Sequence, residues 1–359
     1  MTAQHPHART WRHVIQHLIE RRDLSVAEAA WAMNEIMEGN ATPAQVAGFA
    51  VALRAKGESV TELHGMVEAM YTHAEILDVP GPSVDIVGTG GDQAQTVNIS
   101  TMAAVVAAGA GATVVKHGNK AVSSASGAAD VLRELGVEIF LPPRAVEHVA
   151  RTAGITFCLA STFHKAMRHA APVRAELGVP TTFNFLGPLA NPANVPALAL
   201  GCSDGALVGR FASVVAHRNK QGLVFRGQDG LDELSVCASS DVWIVKGGVA
   251  YQQTLDPRVL GIPRVGIDAL KGGDARHNAK VARSVLAGER GPIRDTVLLN
   301  AAAAITAVQL TDEPLLHQLR SSLIQVTESI DSGSATRKLE QWVTATQNAR
   351  PENSVEGTQ

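Results

Sequence analysis

The sequence predicts an α/β protein: a small N-terminal helical domain followed by a larger α/β domain with a central, largely parallel sheet. Three observations predict it. Residues 10–78 give helical signals only, the run Val79-Pro80-Gly81-Pro82 then breaks helix, and from Ser83 short β-branched runs (VDIV, TVVK, ITFCLA, PALALG, GLVFR) alternate with helical stretches. Strands separated by helix-length segments must be joined by crossovers, and crossovers build parallel sheets.

Each element has a local reason. Three N-terminal helices open on capping-box pairs, Ser25 with Glu28, Thr42 with Gln45 and Ser59 with Glu62, in which a hydroxyl and a carboxylate or amide satisfy the free N–H groups of the first turn. Within them Met33, Ile36, Met37, Val46, Phe49, Ala50 and Leu53 recur at spacings of three and four. That is more apolar surface than such short helices bury among themselves, so docking on another domain or a second subunit is expected. Helical patterns return from Asn278 to Val343. The boundaries are then 10–79 for the helical domain, 80–343 for the α/β domain and 344–359 for a polar tail.

Composition narrows the function. The 359 residues include 45% hydrophobic and 18% charged, with a net charge of -3, which argues against disorder and against a general polyanion-binding surface. Nucleic acid is therefore not an expected partner. Cys158, Cys202 and Cys237 show neither CxxC nor Cys/His spacing, so structural zinc and a disulfide framework are not expected and a reducing cytoplasm fits best. The N-terminus has no apolar signal core, and the Ala-rich runs break before about 18 residues, so no membrane association is expected.

Four segments carry candidate chemistry. In GTGGDQAQTVNIST, Gly88–Thr101, glycines free the backbone to turn its N–H groups toward an anion, and Asn98, Ser100 and Thr101 add donors where a helix begins. Taken alone, such a loop fits a ligand-free tight turn equally well. Asp92 inside it would repel a phosphate unless a metal ion or sugar hydroxyls lay between them. The second segment, VVKHGNKAVSSASGAADVL, brings Lys116, Asn119, Lys120, Ser123 and Ser124 to the same carboxyl edge of the sheet. In VFRGQDGLDELSV, Asp232 and Glu233 offer hard oxygen ligands suited to magnesium, or form a solvated turn. In the fourth, His164, Met167 and Arg168 share helical spacing. Arg174 follows Pro172 and can present a planar fork to a carboxylate.

With these segments in view, the chain resembles the anthranilate phosphoribosyltransferase family. GTGGD, NIST, KHGN with the following SS, FHKAMRH with PVRAELG, FNFLGPLANP, DGLDEL, LKGGDA and RDTVLLNAAAA stand in family order from about Trp11 to Trp342. The resemblance implies a nucleoside phosphorylase/phosphoribosyltransferase-like fold in which helices from about 161–195 join the small domain, and a homodimer made through the small domains. It implies that anthranilate displaces pyrophosphate from phosphoribosyl pyrophosphate.

Residue by residue, it implies that Gly88, Gly91, Asp92, Thr96, Asn98, Ile99, Ser100 and Thr101 hold phosphoribosyl pyrophosphate. Lys116, His117, Gly118, Asn119, Lys120, Ala121, Val122, Ser123, Ser124 and Ala128 close over it. Gly88, Asn119, His164, Met167 and Arg174 meet anthranilate, with His117, Ala160 and Gly187 along its approach. Two Mg2+ per subunit are implied, one on Ser100 and Glu233, the other on Asp232 and Glu233. Gln93, Ala125, Ser161 and Arg226 depart from the family's usual glycine, lysine, proline and histidine. No Ser/His/Asp set, catalytic cysteine or paired acid is evident, so no catalytic residue is assigned; His117 or His164 remain candidates to assist proton removal. A pyrimidine nucleoside phosphorylase and a non-catalytic nucleic-acid-binding relative are the alternatives, and KHGNKAVSS with DGLDE favours the transferase.

Overall fold

The computed structural model describes residues 9–120 and 126–350. Ala121, Val122, Ser123, Ser124 and Ala125 lie outside the described residues. The chain forms two compact units, Met1–Glu75 with His164–Ala190, and Ile76–Phe163 with Asn191–Gln359.

In the first unit, α1 (Trp11–Ile19), α2 (Val26–Met37), α3 (Pro43–Lys56) and α4 (Val60–Thr72) form the N-terminal bundle. All three capping boxes are present. Glu62 serves three times: buried, it caps its own helix through the Ser59 N–H at 2.7 Å, accepts the Leu24 N–H at 2.9 Å, and pairs with Lys56 at 2.9 Å. Gly65 lets α4 cross α2 closely, since a Cβ there would collide with the Val26 carbonyl oxygen.

The apolar surplus expected to dock elsewhere is covered within the first unit itself. Met33, Ile36, Met37, Val46, Phe49, Ala50 and Leu53 are all buried within the single chain. The inserted segment His164–Ala190 supplies the missing cover, packing its 3-10 turns at Lys165–His169 and Thr182–Asn184 against α2 and α3. Buried Glu58 fastens it, accepting the Thr182 hydroxyl at 2.6 Å, while the Arg54 guanidinium stands 5.0 Å from the centre of the Phe185 ring.

The second unit is a seven-stranded sheet in the order β3-β2-β1-β4-β5-β6-β7. The strands are β1 (Ser83–Gly88), β2 (Thr113–Gly118), β3 (Ile155–Leu159), β4 (Ala197–Gly201), β5 (Gln221–Gly227), β6 (Ser240–Lys246) and β7 (Val249–Leu255). The first five run parallel and the last two antiparallel. The β6–β7 hairpin has no counterpart in the sequence expectation. β7 is a mostly exposed edge strand with polar residues, and Gly247 and Gly248, both at positive φ, make its turn.

The helices of this unit are α5 (Ile99–Gly109), α6 (Ala128–Leu135), α7 (Pro143–Ala153), α8 (Ala160–Phe163), α10 (Val208–His217), α11 (Ala275–Leu286), α12 (Pro292–Val308), α13 (Leu315–Asp331) and α14 (Ser334–Asn348), with α9 (Ala171–Leu177) belonging to the inserted segment. The two Ala-rich runs are α5 and α12, buried on nearly every side and packed on each other. Among the described residues no helix is long and apolar enough to cross a membrane. Helix α14 runs to Asn348, past the expected start of the tail at Thr344. Thr346 is the reason: buried, its hydroxyl accepts the Glu138 N–H at 3.1 Å and donates to the Val343 carbonyl at 2.9 Å.

Candidate active site

The parallel strand order reverses at β1, which has β2 on one side and β4 on the other. Loops leaving the carboxyl ends of two such neighbours diverge and open a crevice, the usual ligand position of an open α/β sheet. Gly88 ends β1 and Gly201 ends β4, paired across the ladder.

The glycine loop follows Gly88 into this crevice. Gly90 and Gly91 have φ of 69° and 82°, and Gln93 and Gln95 follow at 59° and 54°. Gln93 therefore occupies a left-handed position that a glycine would take without strain, which explains why glycine is usual there. Asp92 bends the loop by accepting the Ala94 N–H at 3.1 Å. At its far end the loop reaches Asn98, which begins α5 without a side-chain cap hydrogen bond. The Asn98 amide is spent elsewhere, donating to the Ser126 carbonyl at 3.1 Å and accepting from Asn278 at 2.8 Å. The first turn of α5, with Ser100 and Thr101, thus takes no cap from Asn98 and turns its positive end toward the crevice, where Glu233 accepts from the Ser100 backbone.

Asp232 crosses beneath the loop. Its Oδ2 accepts the Gly90 N–H at 2.6 Å. A Cβ at Gly88 would collide with that same oxygen, and one at Gly201 with the Asp232 carbonyl, so both glycines are dictated by the close passage of this segment. Burial first and the charge of Asp92 second push the Asp232 carboxyl up to about 7. Glu233 is raised well above the usual carboxylate range by burial and by Asp232, and is eased by a hydrogen bond from the Ser100 backbone. Three hard-oxygen acids that discourage each other's ionisation are matched by a dication, which favours their charged forms. Asp232 and Glu233, with Ser100 beside Glu233, therefore fit magnesium.

Lys116 and His117 are placed differently from the loop donors with which they were grouped. Both are buried in β2, and the Lys116 ammonium lies under the crevice, donating to the Ile86 carbonyl at 2.5 Å and to Ser100 Oγ at 3.2 Å. Burial lowers its pKa against the opposing pull of Asp85, Glu233 and Asp232. Asp85, fully buried in β1, accepts the His117 N–H at 3.0 Å and the Asn191 amide at 2.8 Å; burial lifts its carboxyl to about 6, with Lys116 pulling it back. Gly118 ends β2, where a Cβ would press on the Phe157 ring at 2.9 Å, and Asn119 and Lys120 beyond it are exposed. Asn119 Oδ1 accepts the Lys120 N–H at 2.9 Å, and the Asn119 carbonyl accepts the Ala129 N–H at 3.3 Å, next to Ala128 at the start of α6.

Residues outside the four candidate segments also hold this site, Ser203 among them without any mark in the sequence. Ser203, just after β4, clasps the glycine loop: its N–H donates to Thr89 Oγ1 at 3.1 Å and its hydroxyl to the Gly90 carbonyl at 2.7 Å. Arg226 holds Ser203 in turn, Nε to carbonyl at 2.8 Å, which gives that departure from histidine a role. LKGGDA is the loop's other edge: Val97 N–H meets the Leu270 carbonyl at 3.0 Å, Thr96 bridges Lys271, and the Gly272 N–H meets the Gln95 carbonyl at 2.9 Å. The paired glycines of LKGGDA were the available signal, since a Cβ at Gly272 would lie 2.8 Å from the Thr96 carbonyl oxygen.

His164, Met167, Arg174 and Gly187 belong to the first unit, Gly88, Asn119 and Ala160 to the second. His164 is buried with Nε2 2.8 Å from the Ala190 carbonyl, an acceptor, so this nitrogen carries the proton. Burial lowers its pKa and favours the neutral ring. Arg174 is half-buried, its pKa lowered by desolvation, and its Nε has no hydrogen-bond partner among the described residues. A desolvated guanidinium with an unused donor calls for an anion.

The architecture has known counterparts. The family model for the glycosyl transferase family a/b domain matches residues 80–336, and that for its helical bundle domain matches residues 12–74. The anthranilate phosphoribosyltransferase of Streptomyces griseus subsp. griseus is 55% identical over 338 residues, 94% of this chain and 96% of that one. Among solved structures, the anthranilate phosphoribosyltransferase of Thermus thermophilus superposes with a TM-score of 0.86 at 40% identity, over 93% of this chain and 99% of that one. That of Saccharomyces cerevisiae in complex with phosphoribosyl pyrophosphate and magnesium gives 0.85 at 29%, over 94% and 98%. Another structure of the yeast protein, with 4-fluoroanthranilate, gives 0.82 at 26%, over 95% and 100%. With both domain models matched and identity and superposition extending over nearly the full chain, the chain belongs to the anthranilate phosphoribosyltransferase family.

Proposed function

We propose that the protein transfers the 5-phosphoribosyl group of phosphoribosyl pyrophosphate to the amine of anthranilate with release of pyrophosphate, the second step of tryptophan biosynthesis from chorismate. One observation carries the reading: the glycine loop, the start of α5 and the Asp232–Glu233 pair converge at one switch-point crevice. The phosphorylase and nucleic-acid-binding alternatives are not favoured, since the matched relatives bear the transferase name.

The chain's own residues then divide the work. Backbone N–H groups of Gly91 and the first turn of α5 bind phosphate oxygens, joined by Asn119 and Lys120, with Ala128 at the start of α6 beside them; Ala121, Val122, Ser123 and Ser124, outside the described residues, are assigned to the same substrate by the family resemblance. Asp92 faces ribose hydroxyls. Two Mg2+ per subunit, on Ser100 with Glu233 and on Asp232 with Glu233, supply charge neutralisation at the pyrophosphate when bound. Lys116, from below, orients Ser100 and offsets the acids. Arg174 pairs with the anthranilate carboxylate, while Gly88, Asn119, His164 and Met167 line the ring's path. The anomeric carbon becomes electron-poor as its bond to pyrophosphate lengthens, and alignment of the weakly basic amine completes the displacement. His164 Nε2 holds its proton against Ala190, which leaves Nδ1 as the ring's only basic nitrogen.

The protein works in the cytoplasm as a homodimer joined through the small helical domains. The seven buried apolar residues no longer support that contact; the exposed Ile19, Val26 and Val51 do. Incubating the purified protein with magnesium, anthranilate and phosphoribosyl pyrophosphate tests the activity. Anthranilate fluorescence falls in the presence of both co-reactants, and a steady signal overturns the reading.

A further inference from the structure

The first unit carries a side-chain cluster that phosphoribosyl transfer does not use. His13 and His17 stand four residues apart on α1 and so share one face, and Glu28 meets them from the first turn of α2. One ligand atom from each lies within 4.8 Å of the other two, and no other trio of His, Cys, Asp or Glu is so placed among the described residues. His13 Nε2 is 2.9 Å from Glu28 Oε1, and the two imidazole centroids are 3.9 Å apart. The second oxygen of Glu28 accepts the Ser25 N–H at 2.9 Å and its hydroxyl at 2.7 Å, so the capping box that starts α2 also aims the carboxylate. His17 Nδ1 is shut off from solvent without a hydrogen-bond partner among the described residues.

An ordinary imidazole–carboxylate hydrogen bond accounts for His13 and Glu28. It leaves the adjoining ring of His17, with its buried nitrogen, without a role. Two imidazoles four apart on a helix and an opposed carboxylate are the ligand set of zinc and its neighbours, whereas magnesium selects oxygen alone. Ligand atoms around tetrahedral zinc lie about 3.3 Å apart, so closing the trio asks at most about 1.5 Å of movement, within reach of side-chain rotation.

We propose that His13, His17 and Glu28 bind one transition-metal dication of the zinc class, with a fourth position left to water, and that the ion clips α1 to α2. The carboxylate is held by its cap before the metal arrives, as ligating groups usually are. The join has a built-in reporter, because Trp11 of α1 lies 5.4 Å from Trp31 of α2, centroid to centroid.

The test uses the untagged full chain, stripped with a chelator and returned to excess Mg2+, which fills oxygen sites and does not compete for imidazole. Titration with Zn2+ alone gives one ion per chain and a melting temperature that climbs with zinc concentration. Co2+ alone gives the visible absorption of a tetrahedral ion and quenches tryptophan fluorescence. His17→Ala weakens zinc binding at least tenfold and removes the thermal shift. Glu28→Gln, which keeps the Ser25 contacts, also weakens binding at least tenfold, while the double variant His5→Ala/His7→Ala binds as the wild type. Absence of stoichiometric binding overturns the proposal. So does binding that survives both His17→Ala and Glu28→Gln, or that is lost with His5 and His7.

Discussion

Asp232→Asn will make the ion-free protein more stable above neutral pH while nearly abolishing turnover. In the folded chain burial and Asp92 raise the Asp232 carboxyl from 3.8 to about 7. Between about pH 4 and 7 the folded state therefore holds a proton that the unfolded state has released, so stability falls as pH rises through that window. About three pH units at about 1.4 kcal/mol each set a ceiling of about 4 kcal/mol, and relaxation around the charge leaves roughly 1–3 kcal/mol. Asparagine carries no charge to bury, its carbonyl still accepts the Gly90 N–H, and its amide donates toward Asp92. In chelator at pH 8, denaturant unfolding will place the variant about 1–3 kcal/mol above wild type, and at pH 4 the two will coincide. Millimolar Mg2+ will close the gap from the wild-type side by binding the native state. Turnover in the variant will fall at least about a hundredfold, on the scale of about 3 kcal/mol of lost transition-state stabilisation. A variant no more stable than wild type at pH 8, or a gap identical at pH 4 and pH 8, refutes the electrostatic reading of this site.

Three further outcomes follow from the geometry. Arg174→Ala will raise the anthranilate KM about tenfold to a few hundredfold with a smaller change for phosphoribosyl pyrophosphate, and Arg174→Lys will recover only part, as steady-state kinetics with each substrate varied will show. Gly88→Ala will fold but displace the Asp232 carboxylate and lower turnover, whereas Gly201→Ala, which meets backbone, will lose stability by about 2 kcal/mol or more; thermal melts and kinetics on both variants separate the two effects. Gln93→Gly will melt within about 0.5 kcal/mol of wild type, while Gln93→Val, β-branched at positive φ, will lose about 1–2 kcal/mol.

What was legible in the sequence was chemistry that residue type announces by itself. The glycine loop, the Asp232–Glu233 pair and Arg174 could be read because glycine, adjacent carboxylates and arginine are costly to place without a reason. The partners that hold them could not. Asn191 reaches Asp85 across 106 residues of chain, and Ser203 reaches Thr89 across 114, so nothing local marks either one. The apolar spacing of α2 and α3 correctly signalled buried faces, but the covering segment His164–Ala190 arrives from the middle of the chain, and spacing alone cannot say whose surface does the covering.

Lys116 and Lys120 mark the same limit more sharply. Both stand in VVKHGNK as equal donors, yet the strand extends through Gly118, so Lys116 is fixed in β2 with its ammonium beneath Ser100 while Lys120 projects from the exposed loop beyond. A buried ammonium persists only where acceptors and acids surround it, here the Ile86 carbonyl, Asp85 and the Asp232–Glu233 pair. Lys116 is therefore the chain's own counter-charge under an acidic crevice. Its place follows from where the strand ends, which neither composition nor motif records.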